Sequence, residues 1–229
     1  MKKIVVLTGA GISAESGLKT FRDANGLWEG HDVTQVASPS GWNANRNLVL
    51  DFYNKRRAQL LSVKPNKAHL ALMQLEDFYN VQIITQNVDD LHERAGRSKV
   101  LHLHGELLKV RSTGNPNLIY TWTNNLKEGD VCEDNHQLRP HIVWFGEDVP
   151  LLPKAAELCA KADVLLIVGT SMQVYPAASL IHYTKPNVPI YLVDPNPAQI
   201  NNFSNINIIS NTATKGVPQL VNELIMQVS

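Results

Sequence analysis

The stretch Gly9–Arg22, GAGISAESGLKTFR, decides the fold. It follows the β-branched run KIVVLT at Lys3–Thr8 and sets Gly9, Gly11 and Ala14 in a G-x-G-x-x-A arrangement. Glycines at a strand-to-helix turn let the backbone approach a pyrophosphate, and the amide donors and dipole of the helix N-terminus favour the anion. A glycine after a strand is also an ordinary turn, so the strand-then-helix context carries the dinucleotide reading. Glu15 reads as a buried acid in this polar stretch. A simple dehydrogenase-type unit would place an acid about 20 residues on, at the end of a second strand. Asp23 stands near that distance but follows TFR, and the next strand-like run begins only near Val81. Something long therefore lies between the first and second strands.

Working outward, VQIITQN, DVLLIVGTS and PIYLVDPN repeat the pattern of the first run, and INIISN from Ile206 makes a fifth. Short apolar runs ending in polar residues or glycine read as parallel strands buried on both faces, with ligand-facing residues at their carboxyl ends. Helical patterns lie between them: SPSGWNANRNLVLDFYNKRRAQLL, NKAHLALMQLEDF, PKAAELCAKA, PAASLIHYT and VPQLVNELIMQV. The alternation predicts an α/β fold, a Rossmann-like doubly wound parallel sheet. Ala24–Gly41 and His104–Arg139 break it with polar, turn-rich sequence. We therefore expect one catalytic unit, with a core of about 1–23, 80–103 and 145–229, a helical and loop insertion over about 24–79, and a small inserted domain over about 104–142.

Composition bounds the function. Lys+Arg and Asp+Glu are both 21, and the zero formal charge removes the basic footprint of a general nucleic-acid binder. Cys132 and Cys159 form no disulfide framework, and no apolar run approaches the roughly 18 residues of a membrane span. A cytoplasmic protein with no direct nucleic-acid or membrane partner is expected.

Two further motifs carry chemistry. TQNVDDLHERAG, Thr85–Gly96, puts an amide, two carboxylates and a histidine after the second strand. Asp89 or Asp90 can cap the next helix, which accounts for one of them at most. Gln86, Asn87 and Asp89 are placed to grip ribose hydroxyls or a carboxamide. HLHGE supplies His102 and His104, two apart, which in an extended segment share one face. No third and fourth ligand follow at zinc-site spacing, so metal is not expected there.

These stretches, with RPHIVWFGE at Arg139–Glu147, GTSMQVYPAASL at Gly169–Leu180 and VDPNP at Val193–Pro197, resemble the sirtuins, the NAD-dependent protein lysine deacylases, over nearly the whole chain and in collinear order. The resemblance implies an NAD site made of Gly9, Ala10, Gly11, Ser13 and Glu15 at the pyrophosphate loop, with Phe21 and Arg22 on a loop over the nicotinamide ribose. Gln86, Asn87 and Asp89 would orient the nicotinamide end. Gly169, Thr170, Ser171, Asp194, Asn196 and Ala213 would meet the adenosine end. His104 matches the catalytic histidine, a general base toward a ribose hydroxyl. Acylated lysine side chains of proteins would bind along Val143, Phe145, Gly146 and Val174, between WFGE and QVYP, through extended backbone.

The chain departs from the family's pattern in one place. Most sirtuins hold a structural zinc with two C-x-x-C pairs, but Ser112 stands where the first cysteine is expected, and Cys132 is alone in the segment. With only Glu133, Asp134 and His136 near it, we expect no zinc, and packing by Leu107, Val110, Ile119, Tyr120 and Trp122 in its place. In LVLDFYNKRRAQLL the residues Val49, Phe52, Tyr53 and Leu60 form an apolar stripe that includes Arg56 and Arg57. Arginine there is either snorkelling or paired. The Tyr53-x-x-Arg56 arrangement resembles that of the desuccinylase-like sirtuins, and Ala24 resembles the small residue that widens their acyl pocket. The resemblance implies removal of acetyl, succinyl and malonyl groups by a monomer, giving nicotinamide and 2′-O-acyl-ADP-ribose. An NAD-dependent protein ADP-ribosyltransferase and a non-enzymatic NAD or acyl-lysine binding module are the alternatives.

Overall fold

The computed structural model describes residues 1–19, 27–28, 30–96, 99–172, 174–197 and 205–228. Its strands are β1 (Lys3–Thr8), β2 (Leu27–Trp28), β3 (His31–Asp32), β4 (Asn80–Thr85), β5 (Val100–His102), β6 (Gly105–Ser112), β7 (Ile119–Thr121), β8 (Leu138–Ile142), β9 (Val164–Val168), β10 (Ile190–Val193) and β11 (Ile206–Ile209). The α-helices are α1 (Ala10–Ala14), α2 (Val33–Val36), α3 (Pro39–Ala44), α4 (Arg46–Ser62), α5 (Lys67–Gln74), α6 (Leu91–Arg94), α7 (Leu152–Ala160) and α8 (Ala213–Met226).

Six strands form one parallel sheet in the order β11-β10-β9-β1-β4-β5. The chain leaves β1 toward β4 and β5, then returns to β1's other side and runs outward through β9, β10 and β11. That reversal opens a crevice at the carboxyl ends of β1 and β9, where doubly wound sheets bind ligands. Alternate residues of the central strands serve opposite layers. Ile4, Val6, Ile83 and Leu166 pack on α5 and α8 through Leu72, Val217 and Leu220. Val5, Leu7, Ile84 and Leu165 face Cys159 of α7 and Leu180 of the 3₁₀ segment Ala177–Tyr183.

A third core joins the two insertions. Val49, Phe52, Tyr53 and Leu60 of α4 pack against Leu107, Val110, Leu138 and Trp144, so α4 and the antiparallel sheet β7-β6-β8 share one interior. The long helical pattern of 38–61 is two helices. Asn45 leaves helical geometry at φ −151° and accepts a hydrogen bond from Leu48 N at 3.0 Å, ending α3 and capping α4.

The structure corrects several expectations. β5 is a sixth sheet strand, only three residues long. It ends at His102, so His102 and His104 do not share one strand face. PAASLIHYT forms a 3₁₀ segment where an α-helix was expected. Ile119 is exposed and contributes little to the small sheet's packing, while Tyr120 and Trp122 are partly buried against the shared core. Glu15 is exposed: its carboxylate accepts hydrogen bonds from Thr214 N at 2.9 Å and Thr214 Oγ1 at 2.6 Å. Among the described residues, no helix is long and apolar enough to cross a membrane.

Candidate active site

A cavity of about 480 Å³ opens at the carboxyl ends of the sheet strands. Gly9, Ala10, Gly11, Ser13 and Glu15 line it from the first turn, and Gln86, Asn87 and Asp89 from the segment after β4. His104, Gly169, Thr170, Ser171, Asp194 and Ala213 complete that wall. Tyr53, Arg56, Val143, Phe145, Gly146 and Val174 line the other. Asn196 does not line the cavity; its backbone N–H donates to Asp194 Oδ1 at 2.9 Å, holding that carboxylate in the turn after β10. Phe21, Arg22 and Ala24 lie outside the described residues.

The first turn needs its glycines because two backbones touch there. Gly9 N donates to Val168 O at 3.0 Å and Gly11 N to Gly169 O at 2.8 Å. A Cβ on Gly11 would stand 2.6 Å from Gly169 Cα, and one on Gly169, at φ +62°, would stand 2.4 Å from Ile12 N. The turn after β9 thus locks against the turn after β1, and both line the cavity.

Asn87 is buried, and its Nδ2 donates to Gly9 O at 3.1 Å and Ser13 Oγ at 3.2 Å. Both amide protons are thereby used, which leaves Oδ1 as an acceptor toward the cavity. Asp89 accepts from Leu91 N at 3.1 Å, one residue before Asp90, which stands at the N-cap of α6 without a side-chain capping bond. Burial pushes the Asp89 carboxyl pKa up, against the lowering effect of the Leu91 and Ser13 hydrogen bonds.

The pKa values of the two histidines are shifted in opposite directions for local reasons. His104 Nδ1 lies 3.0 Å from Gln86 O. A carbonyl only accepts, so Nδ1 carries the proton and Nε2 of the neutral ring is a basic lone pair. Burial lowers the His104 pKa below the usual histidine value, outweighing the Gln86 hydrogen bond. His102 Nδ1 faces Asn87 O at 3.1 Å and Nε2 faces Glu93 Oε1 at 2.7 Å. Two acceptors call for two N–H groups: burial opposes the charge, yet Glu93 more than offsets it, and the pKa is raised. His102 thus bridges the Asn87 backbone and Glu93, while the His104 ring keeps one nitrogen without a bond to the backbone.

At the other wall, Tyr53 is fully buried and its hydroxyl oxygen accepts from Trp144 Nε1 at 3.0 Å. Burial raises its pKa, so the phenol keeps its proton and can donate it onward. Arg56 Cζ sits 4.5 Å from the Trp28 ring centroid, a cation–π arrangement inside the same cavity.

Trp144 of the WFGE motif also lines the cavity, and sequence reasoning missed Trp28 and Glu147, which do so too. Glu147 accepts from Arg139 Nη1 at 2.6 Å, Arg111 Nη2 at 3.3 Å and Trp144 N at 2.8 Å. It thereby ties β6 and β8 to the turn carrying Val143–Gly146. The only available signal was an acid closing WFGE.

The small sheet does not fit a zinc site. Ser112 Oγ accepts from Gly114 N and Asn115 N, both at 3.1 Å, and from Cys132 Sγ at 3.2 Å. Glu133 bonds Tyr120, and the His136 ring lies against Gly114, where a Cβ would come within 2.2 Å of it. Among the described residues no three His, Cys, Asp or Glu side chains converge as ligands. The Ser112 hydroxyl is a hydrogen-bond hub at the position where the pattern of most sirtuins places a cysteine.

The Sir2 family model matches residues 9–176. The chain is 57% identical over 229 residues, all of both chains, to an NAD-dependent protein deacylase of Helicobacter pylori (strain ATCC 700392 / 26695). It is 51% identical over 231 residues to one of Bacteroides thetaiotaomicron, covering 98% of this chain and 99% of the relative. Among solved structures, a Sir2 homolog–NAD complex superposes with TM-score 0.89 at 36% identity, covering 100% of this chain and 91% of that one. A Sir2 protein with a deacetylated p53 peptide and 3′-O-acetyl ADP-ribose gives TM-score 0.81 at 28% identity, covering 99% and 94%. With the glycine-locked crevice, the Asn87–Asp89 pair and the neutral His104 in one cavity, these matches show that the chain belongs to the Sir2 family.

Proposed function

We propose that the chain is an NAD-dependent protein lysine deacylase that removes acetyl groups and also the acidic succinyl and malonyl groups. The observation that carries the reading is one cavity with a neutral, singly donating His104 at the sheet and Tyr53 with Arg56 on the facing wall. The residues fit NAD: a turn in which Gly9 and Gly11 bear no side chain, an acceptor left on Asn87, and Asp194 after β10 suit its pyrophosphate, carboxamide and ribose groups. When bound, NAD supplies the electrophilic ribose carbon and the leaving nicotinamide, and the acyl group ends as 2′-O-acyl-ADP-ribose.

The chain's own residues do the rest. Asn87 and Asp89 orient the nicotinamide end, and the Val143–Gly146 turn with Val174 holds the acyl-lysine where its oxygen meets that carbon, so proximity carries much of the barrier. With NAD bound, His104 Nε2 would accept the proton of a ribose hydroxyl, the role of a general base. At the far end, the Arg56 fork and the Tyr53 hydroxyl receive a carboxylate and leave an acetyl group untouched.

The test is mass analysis of acylated peptides incubated with NAD and the parent or His104→Ala. Parent protein should release the acyl group with nicotinamide, and His104→Ala should lose about 2–4 orders of magnitude with its melting temperature unchanged. ADP-ribose found on the peptide would instead make the chain a transferase. Turnover by His104→Ala within a few-fold of the parent would make His104 structural.

A further inference from the structure

A second cavity, of about 430 Å³, lies where α4 meets the loop after β7. It shares no lining residue with the first. Asn54 and Arg57 line it from α4, and Thr123, Asn124, Asn125 and Lys127 from the loop. Arg57 is only 1% exposed. Its Nε donates to Leu107 O at 3.2 Å and its Nη1 to Asn54 Oδ1 at 2.8 Å and Asn124 O at 3.4 Å, while among the described residues Nη2 has no hydrogen-bond partner.

None of those acceptors is charged. Burial without a compensating carboxylate lowers the guanidinium pKa to about 10. A buried cation with no counter-ion is costly, and here the fork keeps a donor in reserve. The rest of the lining points the same way: Lys127 adds a second cation, Thr123 and the two asparagines add neutral donors, and no lining residue is acidic. The neighbouring Asp130 accepts from the Lys127 backbone N–H at 2.7 Å.

We propose that this cavity is a second anion site, taking a small oxyanion of the phosphate or carboxylate class between Arg57 and Lys127. Arg57 holds the Leu107 carbonyl, and Leu107 lines the first cavity, so an anion there braces α4, which carries Tyr53 and Arg56, against β6.

The test is thermal unfolding of the Arg56→Met chain with excess ADP-ribose present, so that neither the nucleotide end nor the carboxylate donor of the first cavity takes the titrated anion. Sodium phosphate or sodium succinate is titrated against sodium chloride at matched ionic strength. One of the two anions should give a saturable rise of roughly 3 °C or more, and the one that saturates names the class. Lys127→Ala should raise the half-saturating concentration about tenfold, and Arg57→Lys should abolish saturation. Lys127 is exposed, so its variant carries the test even if Arg57→Lys does not fold. A rise that never saturates, or one equal with and without Lys127→Ala, overturns the proposal.

Discussion

Trp144 Nε1 donates to the Tyr53 hydroxyl at 3.0 Å across 91 residues of sequence. Because that oxygen already accepts, the phenol's remaining capacity toward the cavity is as a donor, the role a carboxylate requires. Trp144→Phe keeps the ring and removes the N–H. It should lower kcat/KM for succinyl-lysine about 3- to 10-fold, as expected for one neutral hydrogen bond, and leave acetyl-lysine nearly unchanged. In a Tyr53→Phe background the same change should have no further effect on succinyl-lysine. Full additivity would show that Trp144 acts by packing alone.

The His104 pKa is depressed, chiefly by burial, so the base is already neutral at pH 7. The acidic limb of kcat/KM should therefore have its midpoint below the ordinary histidine value of about 6.5. Activity is lost as pH falls through that midpoint and is flat above it. A midpoint above about 7 would contradict the assignment.

His102 has the opposite sign. Its folded pKa is raised, so its contribution to stability is fully present below the unfolded value of about 6.5 and is lost as pH rises through the folded value. Glu93→Gln removes the partner. The stability difference between parent and variant should be larger at pH 5.5 than at pH 9. Denaturant unfolding at both pH values checks this, and an equal difference would place the interaction elsewhere.

The Ser112 hub calls for elemental analysis and one substitution. The purified chain should hold no stoichiometric zinc and keep its activity in strong chelator. Ser112→Ala leaves two backbone N–H groups and the Cys132 thiol without their acceptor and should cost about 1–3 kcal/mol. Near one zinc per chain would show that ligands outside the described residues, or rearranged ones, complete a site.

Much of this was legible where backbone geometry leaves no choice. Gly9, Gly11 and Gly169 are required by interatomic distances that exclude a Cβ, and the strand runs needed burial on both faces. β5 was not legible, because three residues carry no periodicity. Glu147 was missed as a site residue because its partners, Arg111 and Arg139, meet it only in the folded chain. The same limit misplaced Glu15, whose partner Thr214 lies 199 residues away. Arg57 read like its neighbour Arg56, yet Arg57 bonds the Leu107 carbonyl of β6 and lines the second cavity, whereas Arg56 lines the first. Exposed Lys55, paired with Asp51 on the helix surface, is the neutral control for Arg56.

The most direct measurement is kcat/KM for NAD-dependent release of succinyl and acetyl groups from otherwise identical peptides, for the parent, Arg56→Met and Lys55→Met. Charge-assisted hydrogen bonds to a shielded carboxylate are worth about 1.5–3 kcal/mol each. Arg56→Met should therefore lower the succinyl value roughly 10- to 1000-fold while the acetyl value changes little, and Lys55→Met should alter neither. Equal loss of both activities in Arg56→Met, or a parent that releases no succinyl group, would contradict the account.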